Sequence, residues 1–147
     1  MGAEPYWYTV RYKPDIEAAL QGLRDQEFQA GRYNPVIPFL DFPIGPNSPA
    51  PGARHASIAA AFNAAGASGT RSILDLGHIS EETEMGAVTP LTDDELEELF
   101  GTTRPTRKMI EASADLWERL DRFQGLSIVL YKDDEPDEIY FAGYSCD

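Results

Sequence analysis

Apolar and polar positions alternate at the start of the chain. Tyr6, Tyr8, Val10 and Tyr12 share one face and Trp7, Thr9 and Arg11 the other, which predicts a strand over 6–12. The spacing then lengthens to that of a helix. Ile16, Ala19, Leu20 and Leu23 recur on one side, Phe28 extends that side, and Gly31 supplies a left-handed stop. Pro14 precedes this run where a first helical turn tolerates proline.

Residues 31–54 obey neither period. Six of the eleven prolines fall here, with Gly45 and Gly52, which disfavours long helices and central strands. Val36, Ile37, Phe39, Leu40, Phe42 and Ile44 make the stretch too apolar for a disordered linker. It reads as an ordered, irregular wrap. Its front half is expected to pack on the domain, with a short edge strand inside Val36 to Phe42, and the Gly45 to Gly52 part to be exposed.

Ser57 caps an expected short helix from Ile58 to Ala65, stopped by Gly66. Arg71 to Ile79 reads as a strand, Ser80 to Gly86 as an acidic loop, and Ala87 to Leu91 as a brief strand or coil. Thr92-Asp93-Asp94-Glu95 forms a capping box for a helix that buries Leu96, Leu99 and Phe100 and stops at Gly101. A longer helix is expected from after Pro105 to about Gln124, with Met109, Ile110, Ser113, Leu116, Trp117, Leu120 and Phe123 on its buried stripe. Leu126 to Lys132 and Asp137 to Tyr144 flank Asp133-Asp134-Glu135-Pro136 and predict a C-terminal β-hairpin. The order predicts an α+β fold over 1–147: a single compact domain, with helices on a mixed or antiparallel sheet of about four strands.

Composition adds a charge asymmetry. The 147 residues hold 12 Lys+Arg and 25 Asp+Glu, a formal charge of −13. Residues 1–74 carry six acids and six bases, whereas 75–147 carry nineteen acids and six bases. Such a surface disfavours nucleic acid and anionic membranes, because affinity for phosphate rests on Lys and Arg. No stretch approaches the roughly 20 apolar residues of a bilayer span. No secretory leader is visible, and the lone Cys146 permits no internal disulfide. The expected class is soluble and cytoplasmic.

Catalytic motifs are missing. There is no nucleophile elbow, phosphate loop or dinucleotide fingerprint, and His55 and His78 have no ligand-like neighbours in sequence. Neither a metal nor another cofactor is expected, and no catalytic residue is assigned. Asp41 and Asp75 each stand between apolar residues, where burial would raise a carboxyl pKa. Arg32, Tyr33 and Asn34 bring a guanidinium, a phenol and an amide together after the first helix. They are expected either to tie the wrap down or to bind a ligand.

Two readings of function follow. The first is a non-enzymatic protein-interaction module whose acidic second half docks a basic protein, with Glu95, Glu97, Glu98, Asp133 and Asp134 as the contact residues. In its size, acidity and α+β character the chain resembles bacterial immunity proteins that block basic nuclease toxins; the resemblance rests on general character, and implies an inhibitor-like role. The second is a small-molecule binder or small enzyme, with a pocket between residues 31–44 and the sheet that uses Arg32, Tyr33, Asn34 and Asp41. A homodimer joined through an aromatic strand face such as that of Trp7 is a further expectation.

Overall fold

The computed structural model describes residues 3–45 and 47–147; Pro46, within the part of the wrap expected to be exposed, lies outside them. The alternating aromatic segment forms strand β1 (Pro5–Arg11). Four more strands follow: β2 (His78–Ile79), β3 (Ala87–Pro90), β4 (Gln124–Lys132) and β5 (Glu135–Tyr144). They form one mixed sheet of order β1-β5-β4-β3-β2. β5 is antiparallel to both β1 and β4, while β3 lies parallel to β4 and to β2. The α+β class and the C-terminal hairpin stand as expected, with five strands in place of about four.

Period-two alternation sends the side chains of β5 to opposite faces. Ile139 and Phe141 join a core with Tyr6, Leu20, Ile73, Leu76 and Val88, under helix α1 (Ile16–Ala30) and helix α2 (Ile58–Ala65). Tyr140 and Ala142 join a second core with Leu126, Ile128 and Leu130, under helix α3 (Asp93–Phe100) and helix α4 (Arg107–Glu111). Gly125 and Gly143 are directly opposed across β4 and β5. The Tyr6 ring lies over Gly143, where an added Cβ would come 2.7 Å from its Cε1.

The caps act as the sequence implies. Ser57 Oγ accepts the Ala60 amide, and Thr92 with Glu95 closes a complete capping box. For α1 the cap is Asp15, whose carboxylate accepts the Ala18 amide, so Pro14 stands before the helix and not in its first turn.

Three expected elements differ. Among the described residues the wrap contains no strand; Phe39–Asp41 is a 3-10 turn, and Leu40 is 92% exposed. The segment 71–79 is a 3-10 turn (Ile73–Asp75) followed by the two residues of β2. Side chains compete with a ladder here: Ser72 Oγ accepts the Leu74 amide, and Asp75 Oδ1 accepts the Thr70 amide. The long helix after Pro105 is broken into α4 and a 3-10 turn at Asp115–Arg119. Ser113 Oγ takes the Leu116 amide and starts that new turn. The hairpin turn is also tighter than expected. Asp133 and Asp134 alone form it, at φ 51° and 65°, and β5 begins at Glu135.

The wrap closes on itself. Gly31, at φ 73°, caps α1 and packs against Gly52, whose amide donates to the Ala30 carbonyl. Tyr33, Ile37 and Ile44 are buried beneath it. Its ends are close and these apolar side chains pack inward, so the segment is an ordered part of the fold.

Candidate functional site

The acids expected to meet a partner divide by what they touch. Glu95 closes the capping box, and its other carboxylate oxygen lies 3.2 Å from Arg119. Glu98 reaches the same guanidinium at 3.1 Å. Asp134 pairs with Arg104 at 2.8 Å. Glu97 and Asp133 are exposed and have no ion-pair partner among the described residues, as are Asp93, Asp94 and Glu135. Three of the six bases in the second half, Arg104, Arg107 and Arg119, are thus already matched within the chain.

The residues of the second reading hold the wrap. Arg32 pairs with the buried Glu27 at 3.1 Å and reaches the Ser48 carbonyl. Tyr33 is fully buried and stacked on Phe28, and its hydroxyl lies 2.8 Å from His55 Nδ1 and accepts the Arg54 amide. Asn34 Nδ2 donates to the Gly69 carbonyl at 2.9 Å. Asp41 is exposed in the 3-10 turn. Arg32, Tyr33 and Asn34 therefore spend their polar groups on fixing residues 31–55 to α1 and to the 66–75 loop.

A cleft that sequence reasoning missed lies on the α3/α4 face of the sheet. Trp7 and Thr9 from β1 and Tyr140 from β5 form one side, and Ile110 and Glu111 from α4, with Trp117 from the following turn, form the other. Its volume is about 470 Å³, within the range of ligand sites. Trp7 and Trp117 meet nearly edge to face, with centroids 6.1 Å apart, and Trp117 in turn meets Tyr144 at 5.4 Å. Trp7 is 48% exposed. Burial, and next the nearby Glu111 carboxylate, push the Tyr140 phenol up to about 12. Arg107 at the cleft is neutralised by Glu138 at 2.9 Å, whereas Glu111 has no ion-pair partner among the described residues. The odd-numbered positions of β1 carried the signal, since they place Trp7 and Thr9 on one face. The break after α4, which brings Trp117 to them, had no signal.

A polar cluster lies buried on the opposite side. Asp75 Oδ1 accepts from the Thr70 amide and hydroxyl at 2.8 and 2.7 Å, and Cys146 Sγ approaches Oδ2 at 3.7 Å. Burial raises the Asp75 carboxyl above its ordinary value, against the lowering effect of these bonds. Burial, and then the Asp75 charge, push the Cys146 thiol up to about 12, so it is protonated at neutral pH and a poor nucleophile. Beside it the buried Arg71 guanidinium joins Asp147 at 3.1 Å and Glu4 at 3.6 Å, and lies over the Phe39 ring of the wrap. These bonds cross-link segments of the chain and leave no reactive group open.

His78 pairs with Glu84 at 2.8 Å on the surface, and His55 serves Tyr33. Among the described residues no group of three His, Cys, Asp or Glu side chains is placed to hold a metal ion, and no helix is long and apolar enough to cross a membrane. The chain matches no protein-family model, no curated protein and no solved structure.

Proposed function

We propose that the protein is a non-enzymatic interaction module whose acidic second half docks a basic protein, in the manner of an immunity protein or inhibitor. The observation that carries this reading is the set of exposed carboxylates left without cations. Arg104, Arg107 and Arg119 are engaged internally, while Asp93, Asp94 and Glu97 on α3 and Asp133 and Glu135 at the hairpin turn have no ion-pair partner among the described residues. Such a field speeds encounter with a cationic surface and orients it.

The structure sharpens the choice of test residues. Reversing Glu95 would also break the capping box, and reversing Glu98 or Asp134 would also break an ion pair. Glu97→Lys with Asp133→Asn changes the field alone, and asparagine keeps the left-handed turn. Wild type and this double variant are used as bait in a cell lysate at low salt. A basic protein held by the wild type, released by salt and lost by the variant is expected. Capture that is indifferent to both salt and the double substitution, or no capture at low salt, overturns the reading.

A further inference from the structure

The edge of the sheet beside the aromatic cleft is unpaired. Among the described residues β1 pairs only with β5. Two main-chain bonds flank their ladder, Ser145 N–H to the Glu4 carbonyl and Tyr12 N–H to the Asp137 carbonyl, each at 3.0 Å. In an antiparallel pair such bonds recur at every second residue. The even-numbered residues of β1 therefore direct their main-chain groups at β5, and Trp7, Thr9 and Arg11 direct theirs outward. No other main-chain partner for these three occurs among the described residues. The side chains of Trp7 and Thr9 stand on the cleft side of the sheet, opposite Ala142 and Tyr140 of β5. Free donors and acceptors, and the walls that would read alternate side chains, thus belong to one strip.

We infer that this strip is a strand-addition site for an extended segment of a partner protein carrying arginine or lysine, lying along β1 with a cationic side chain in the cleft lined by Trp7, Trp117 and Glu111. The inference rests on the proposed docking of a basic protein and names a second contact for it. Main-chain pairing to an open edge gives affinity, and the adjacent pocket gives selectivity. The chemistry of the pocket favours a cation. Trp7 is half exposed, and the face of an indole attracts positive charge. Glu111 has no ion-pair partner among the described residues, Arg107 is already held by Glu138, and Arg11 lies at the far end of the strand. A chain of charge −13 strengthens the same preference.

Both tryptophans of the chain line this cleft, so intrinsic fluorescence reports on it without a label. The probe is the blocked peptide acetyl-Thr-Arg-Thr-Arg-Thr-amide, with its glutamate counterpart and arginine amide as comparisons. The arginine peptide is expected to change the fluorescence saturably and to slow amide exchange at Trp7, Thr9 and Arg11. Thr9→Pro removes one outward N–H while leaving the β5 ladder intact, and is expected to weaken binding about tenfold. Thr9→Val keeps the N–H and is expected to bind as wild type does. Should the proline variant fail to fold, Glu111→Gln and the exchange data on the wild type carry the test; Glu111→Gln is expected to weaken the arginine peptide about threefold. Absence of a saturable change, or equal binding of the glutamate peptide, overturns the inference. So does arginine amide binding as tightly as the peptide, or dimerisation of the free protein that Thr9→Pro abolishes, which would give the edge to a second copy. The Glu97→Lys/Asp133→Asn variant lies outside the strip and is expected to retain the peptide. Failure of the acidic face and failure of this site therefore read out separately.

Discussion

Two residues show how single atoms set the limits of this structure. At Gly31 the positive φ and the carbonyl of Gly52 exclude a side chain together, whereas Gly101 has a similar φ with open space beside it. Gly31→Ala is expected to cost about 3 kcal/mol, and Gly101→Ala about 1 kcal/mol, in urea unfolding. The excess measures how tightly the wrap is seated. Asp75 gives a pH signature. Its carboxyl is raised in the folded protein because burial penalises the anion. The stability it contributes is complete below the ordinary carboxylate value and is lost as pH rises through the raised folded value. Asp75→Asn cannot ionise, so its stability relative to wild type is expected to increase as pH rises above the ordinary carboxylate value of about 4. A difference that is flat across that range, measured by urea unfolding, contradicts the assignment.

Elements were legible where one local rule decided them. β1, α1, α2, α3 and the hairpin each combine a clear period with a cap or turn that agrees with it. The Thr92–Glu95 box is the sharpest case, and Thr92→Ala is expected to cost about 1 kcal/mol and to fray α3, seen as faster amide exchange in its first turn. Elements were misread where side-chain bonds competed with the period. Ser72, Asp75 and Ser113 each capture nearby amides, and the apolar residues around them look the same to a periodicity argument whether a strand, a helix or a 3-10 turn results. The candidate cleft was hidden for the same reason. Trp7 and Trp117 are far apart in sequence, and their meeting depends on the unforeseen break after α4. The Arg32–Tyr33–Asn34 group was visible as a polar cluster, while only the geometry shows its bonds going to the wrap and the 66–75 loop.

For the molecule as a whole, charge and topology act on different sides. Nearly all the excess acid follows residue 75, so the compact state bears a self-repulsion that salt relieves. Raising ionic strength from about 10 mM to about 0.5 M is expected to raise Tm, and Glu97→Lys/Asp133→Asn is expected to melt at or above the wild-type temperature with a smaller response to salt. A fall in Tm with salt would show that the internal arginine pairs outweigh the repulsion. The neutral half, by contrast, supplies β1, whose ladder partner β5 comes from the other end of the described chain. On the ribosome β1 emerges long before the segment that completes it. Throughout translation its aromatic faces and the row of amides that faces β5 lack their native cover, and the sheet can close only after β5 has left the exit tunnel. Nascent chains stalled before residue 135 are therefore the species most exposed to chaperones and to misassociation, whatever the stability of the finished protein.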